Sequence, residues 1–140
     1  MITLTSGQEV AVEPVSVLLV DDNPTFLRIA IRLLEGHEDV CVVGAVRHYD
    51  EALRHARRLE PDVVLVGISM PQSPGLDTIP ILRRALPDTG IIALMLIGSD
   101  GSRRRVMDAG ADEFIPKATV GAELLPAIRR LIHTTRAKER

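Results

Sequence analysis

The 140 residues are one domain's worth of chain, enough to bury roughly two thirds of the surface the unfolded form would expose. Hydrophobic residues are 46% and charged residues 26%, a balance that excludes an intrinsically disordered chain. Seventeen basic against nineteen acidic side chains leave a formal charge of -2, which excludes a global pull toward nucleic acid or an anionic membrane.

Aromatic residues are 2% of the chain, so Val, Ile, Leu and Ala must fill the core. The one cysteine, Cys41, lies in the apolar run VCVVG and is expected to behave as a small buried hydrophobe. It allows no disulfide within the chain, as suits a reducing compartment. The opening MITLTSGQEVAVEP lacks the pattern of a signal peptide, and no apolar run approaches the thickness of a bilayer. A cytoplasmic location without membrane contact is therefore expected.

In chain order, Met1 to Glu13 read as a poorly ordered lead or an edge extension. The run VSVLLV from Val15 predicts a first strand, closed by DDNP. Pro24 suits the first turn of a helix that Asn23 can cap. In that helix the period places Phe26, Ile29, Ala30, Leu33 and Leu34 inward, with Gly36 at the stop. Val40 to Val46 predicts a second strand. Tyr49 to Glu60 predicts an amphipathic helix with Ala52, Leu53, Ala56 and Leu59 inward, ended by Pro61.

Val63 to Val66 is too short for a helix and predicts a strand apolar on both faces, at the centre of a parallel sheet. After SMPQSPG, the segment LDTIPILRRALP predicts a helix that begins late, with Thr78 as its cap and Pro80 in its first turn. Gly90 to Gly98 predicts a fourth strand, Ser102 to Ala109 a short arginine-rich helix stopped by Gly110, and ADEFIPK a fifth strand. A closing helix follows from Val120 to about Ala137, capped by Thr119 and kinked at Pro126. Five strands alternating with five helices specify an α/β fold with a doubly wound parallel sheet. No internal repeat or second domain is visible.

In such a sheet the residues leaving the carboxyl ends of the first, third, fourth and fifth strands meet in one crevice. Here they are Asp21 and Asp22, Gly67, Met95 with Leu96, and Lys117. Two adjacent carboxylates suit a hard cation such as Mg²⁺, and a lysine opposite suits an anion. The same residues read equally well as a helix cap neutralised by a lysine. Spacing alone does not separate the two.

Together, VLLVDDNP, PDVVLVGISMP, Gly75 with Leu76, and AGADEFIPK resemble the landmarks of the receiver domain of two-component response regulators, NarL/LuxR type, over about Val15 to Ile132. The resemblance implies a flavodoxin-like fold: five parallel strands in the order 2-1-3-4-5 with five helices. It divides the chain into an extension (1–13), a receiver (14–133) and a tail or start of linker (134–140). It also implies a cycle in which an aspartate takes a phosphoryl group from a partner histidine kinase. Mg²⁺ is held there by the acid pair, that aspartate and a backbone carbonyl two residues beyond it.

Carried onto this chain, Asp21 and Asp22 match the acid pair, with Asp22 the more direct ligand, and Ser69 matches the carbonyl donor. Lys117 matches the lysine that contacts the phosphoryl oxygens, and Phe114 the aromatic whose rotamer reports switching. The phosphoacceptor position is Gly67 and the switch-hydroxyl position is Met95. Nucleophile and relay are thus both missing, so no catalytic residue is expected, no cofactor beyond weakly held Mg²⁺, and no enzyme activity.

The expected function is that of an atypical, phosphorylation-independent receiver: a signalling and interaction module in two-component-type regulation, as in the receiver of a transcriptional regulator. Its expected partner is a protein or a second copy, met through the first and fifth helices or through the face of the fourth helix, fifth strand and fifth helix. DNA would be met only through a domain not present in this chain. Arg103, Arg104 and Arg105 are expected on a solvated face, and the basic end from Arg129 to Arg140 at a helix terminus favoured by its dipole. The alternative is a small-molecule sensor, with a ligand in the vacated crevice between Asp22, Gly67, Met95 and Lys117. An enzyme with Asp21 or Asp22 as nucleophile ranks last. His37, His48, His55 and His133 all fall on helices or surface loops, leaving no general acid at the crevice.

Overall fold

The β-branched runs pair into a five-stranded sheet in the computed structural model, which describes residues 13–69, 74–96 and 100–138. The strands are β1 (Val15–Val20), β2 (Val40–Val46), β3 (Val63–Ile68), β4 (Gly90–Met95) and β5 (Glu113–Pro116). They lie in the order β2-β1-β3-β4-β5, every neighbouring pair parallel, as the resemblance implied. Expectations for residues 1–12, Pro71, Gly98 and Arg140 lie outside the described residues.

Helices cover both faces, which is why every position of β3 and β4 is buried. Side chains alternate across the strands, so consecutive residues enter different cores. On one face Leu19 and Leu65 pack with Phe26 and Ala30 of α1 (Pro24–Leu34) and with Ile128 of α5 (Val120–Lys138). On the other, Leu18 and Val66 pack with Ala56 of α2 (Ala52–Leu59), Ile79 of α3 (Pro74–Ala85) and Val106 of α4 (Asp100–Ala109). Each fully buried Leu or Ile contributes about 1.5–3 kcal/mol, which makes these two layers the main source of stability.

Several local expectations are corrected. The third helix starts at Pro74, and Pro80 lies inside it. Thr78 is no cap: its hydroxyl donates to the Pro74 carbonyl at 2.8 Å. Gly75, Ile79 and Leu82 are buried, and packing of this turn offsets the cost of an interior proline, about 3 kcal/mol. In α1 the buried stripe is Phe26, Leu27, Ala30 and Leu34, while Ile29 is 47% exposed. Thr119 sits in a 3₁₀ turn (Lys117–Thr119) and donates to the Pro116 carbonyl instead of capping α5. A second 3₁₀ turn, Tyr49–Glu51, precedes α2. Cys41 is exposed, because β2 is an edge strand. The closing helix, read to about Ala137, runs from Val120 to Lys138. Among the described residues no helix is long and apolar enough to cross a membrane.

Candidate functional site

Asp21 follows directly on β1, and the start of α1 fixes its orientation. Its backbone N–H donates to the Val46 carbonyl at 3.0 Å, and its Oδ1 accepts from the Asn23 N–H at 2.9 Å. Asn23 in turn caps α1, its side chain accepting from the N–H groups of Thr25 and Phe26. The turn that starts the helix thus directs the carboxylate inward, where Asp21 is 2% exposed. From the far side comes Lys117, the first residue after β5, whose Nζ stands 2.6 Å from Asp21 Oδ2 and 4.3 Å from the centroid of the Phe26 ring. Both charged side chains are buried. Oδ2 accepts no well-aligned hydrogen bond among the described residues, so the Lys117 charge is what compensates it.

Between the two lies Gly67, near the end of β3. A Cβ at this position would overlap Oδ2 and Cγ of Asp21 and stand 3.0 Å from its Cβ. The space that a side chain of residue 67 would enter is therefore filled by the Asp21 carboxylate. The Gly67 carbonyl is also engaged, accepting from the Tyr49 hydroxyl at 2.6 Å. Burial, with the Asp21 and Asp22 charges adding to it, holds the Tyr49 phenol well above its ordinary range. Gly75 completes the packing: a Cβ there would overlap the Gly67 carbonyl and stand 3.2 Å from Cε1 of Tyr49.

A profile of the response regulator receiver domain matches residues 17–129. This chain belongs to that family. The receiver is 35% identical over 115 residues to the response regulator GacA of Pseudomonas viridiflava, covering 82% of this chain and 54% of that protein. It thus spans about half the length of that relative. It is also 35% identical over 105 residues to a protein-glutamate methylesterase/protein-glutamine glutaminase of Alkalilimnicola ehrlichii, over 74% of this chain and 27% of that enzyme. A two-component response regulator of the LuxR family from Aurantimonas sp. SI85-9A1 superposes with a TM-score of 0.79 at 25% identity, covering 86% of each chain. Receivers are mostly non-enzymatic, although the family reaches enzymes such as the methylesterase.

The other predicted site residues of this receiver divide between crevice and core. Asp22 is exposed, and Ser69 is half-buried just past β3. Met95 is 3% exposed and belongs to the core beneath α2, α3 and α4, against which Phe114 also packs. Leu96 points outward at 56% exposure. The Mg²⁺ donors that the resemblance implies are Asp21, Asp22 and Ser69. With Oδ2 of Asp21 neutralised by Lys117, that set does not fit a tightly held Mg²⁺. Nor do any three His, Cys, Asp or Glu side chains gather to hold a metal among the described residues. Tyr49 is not among the residues predicted for the crevice, because it follows β2 and not one of the four strands whose ends converge there. The signal was there: the chain's only tyrosine stands three residues after that strand.

Proposed function

We propose that this receiver signals without phosphotransfer, as a non-enzymatic module that works through protein contacts in two-component-type regulation. The observation that carries the reading is the filled space at Gly67. At the position matching the phosphoacceptor there is no side chain, and Asp21 lies in its place, paired with Lys117. Lys117, matching the lysine that would contact the phosphoryl oxygens, thus has a resident carboxylate partner. Met95 at the switch-hydroxyl position offers a thioether packed into the core, with nothing to bond a phosphoryl oxygen.

The pieces that would move on phosphorylation are thereby held in one arrangement. Output would depend on which partner is present and at what concentration, through α1 and α5 or through the α4–β5–α5 face. The sensor alternative needs open space beside Gly67, and Asp21 occupies that space. Any DNA contact would be made through a domain outside these residues. To test the reading, the protein is incubated with acetyl phosphate, or with beryllofluoride, in Mg²⁺. Intact mass and the amide NMR spectrum are expected to stay unchanged. A phosphoryl adduct on Asp22 or Ser69, or a spectrum that moves with beryllofluoride, would overturn it.

A further inference from the structure

Helices α2 and α3 carry five arginines, and three of them are engaged within the chain. Arg54 pairs with Glu51 at 3.5 Å, and Arg58 stands 3.2 Å from His55 Nδ1. Arg83 binds the carbonyls of Pro87, Thr89 and Gly110 and the carboxylate of Asp112. The two left, Arg57 and Arg84, are exposed and have no ion pair or hydrogen bond among the described residues. Both line one groove of about 530 Å³ between the helices, whose floor and walls are Leu53, Pro80, Ile81 and Ala85. Ile81, one of these lining residues, is 53% exposed.

One exposed isoleucine is ordinary on a protein surface. An isoleucine flanked by a proline ring and two uncommitted guanidinium groups has a definite complement. Arginine forks take carboxylates in bidentate fashion, and the apolar floor takes an aliphatic side chain. We propose that this groove docks an acidic, amphipathic segment of a partner protein, with an aliphatic side chain against Ile81 and carboxylates on Arg57 and Arg84. The apolar lining of Leu53, Pro80, Ile81 and Ala85 argues for such a segment over nucleic acid, whose backbone offers it only phosphates and sugars. The proposal does not rest on the Gly67 reading, since the groove would bind with or without a phosphoryl group elsewhere.

The probe is a short synthetic helical peptide with leucines along one face and flanking glutamates, titrated into the whole chain and followed by amide NMR. Shifts are expected at Leu53, Arg57, Ile81, Arg84 and Ala85. The Arg57→Glu/Arg84→Glu variant is expected to bind at least about tenfold more weakly and to bind a lysine-flanked peptide instead. Ile81→Asp, at a side chain 53% exposed, should also abolish binding while urea denaturation shows the fold retained. Several results would overturn the proposal: no binding, shifts centred elsewhere, or indifference to charge reversal. So would a dimer formed through this face, or preferential binding to a DNA duplex or to phosphatidylserine vesicles.

Discussion

Lys117 and Asp21 meet across the sheet from strands that are not neighbours, at 2.6 Å, with both side chains buried. β1 brings the aspartate and β5 the lysine, with β3 and β4 between them. The contact is possible because β3 presents a glycine at the crossing. A buried pair of this kind is weak evidence of net stabilisation, since both charges lose their water. Removing one partner alone, however, strands the other.

The first prediction follows from that asymmetry. Lys117→Met is expected to destabilise the fold by about 3–5 kcal/mol, because Asp21 keeps its charge in a buried site. Adding Asp21→Asn should recover part of the loss, giving a coupling of roughly 0.5–3 kcal/mol in a double-mutant cycle. Urea denaturation of the four proteins measures it. Additive losses would mean that the two side chains do not depend on each other.

Gly67→Ala tests whether the space is filled. The new methyl must push Asp21 aside and loosen its pairing, at an expected cost of about 1–3 kcal/mol. In an Asp21→Ala background the same change should cost clearly less, because the obstructing carboxylate is gone. Equal costs in both backgrounds would place the strain in the strand itself.

Tyr49→Phe removes the hydroxyl that serves the Gly67 carbonyl, and should cost about 1–3 kcal/mol for the unmet acceptor. The alkaline limb gives a second readout. The folded state holds the phenol neutral above its ordinary value of 10.0, so this contribution is intact below that pH and is lost as pH rises beyond it. Because Tyr49 is the only tyrosine, tyrosinate absorbance reports on it alone. It should appear later than in the unfolded chain, and Tyr49→Phe should lose less stability over the same alkaline range.

On the acid side, a side-chain hydrogen bond from Arg129 holds Asp39 below the usual carboxylate value of 3.8. Stability from this pair is present above the unfolded value and disappears as pH falls through the lowered one. Both side chains are about half exposed, so the effect is small and screened by salt. Asp39→Asn should flatten the acid limb of a urea-midpoint profile at low ionic strength, and the difference should vanish in high salt.

The sequence by itself determined the five strands, the sheet type, the helix cap at Asn23 and the meeting of Asp21, Gly67 and Lys117 at one rim, while Met95 went to the core. Runs of β-branched residues, caps and strand ends are local or topological facts, and they survive without coordinates. Local rules misplaced the start of α3, because packing of Gly75 and Ile79 outweighed the proline at 80. They misjudged Ile29 and Cys41, because exposure depends on which neighbour covers a face. Tertiary structure alone decided what the glycine at 67 means. A missing side chain leaves a hole or admits a neighbour according to what stands within reach: here the Asp21 carboxylate enters from the end of β1, and the Tyr49 hydroxyl, from the 3₁₀ turn after β2, holds the Gly67 carbonyl.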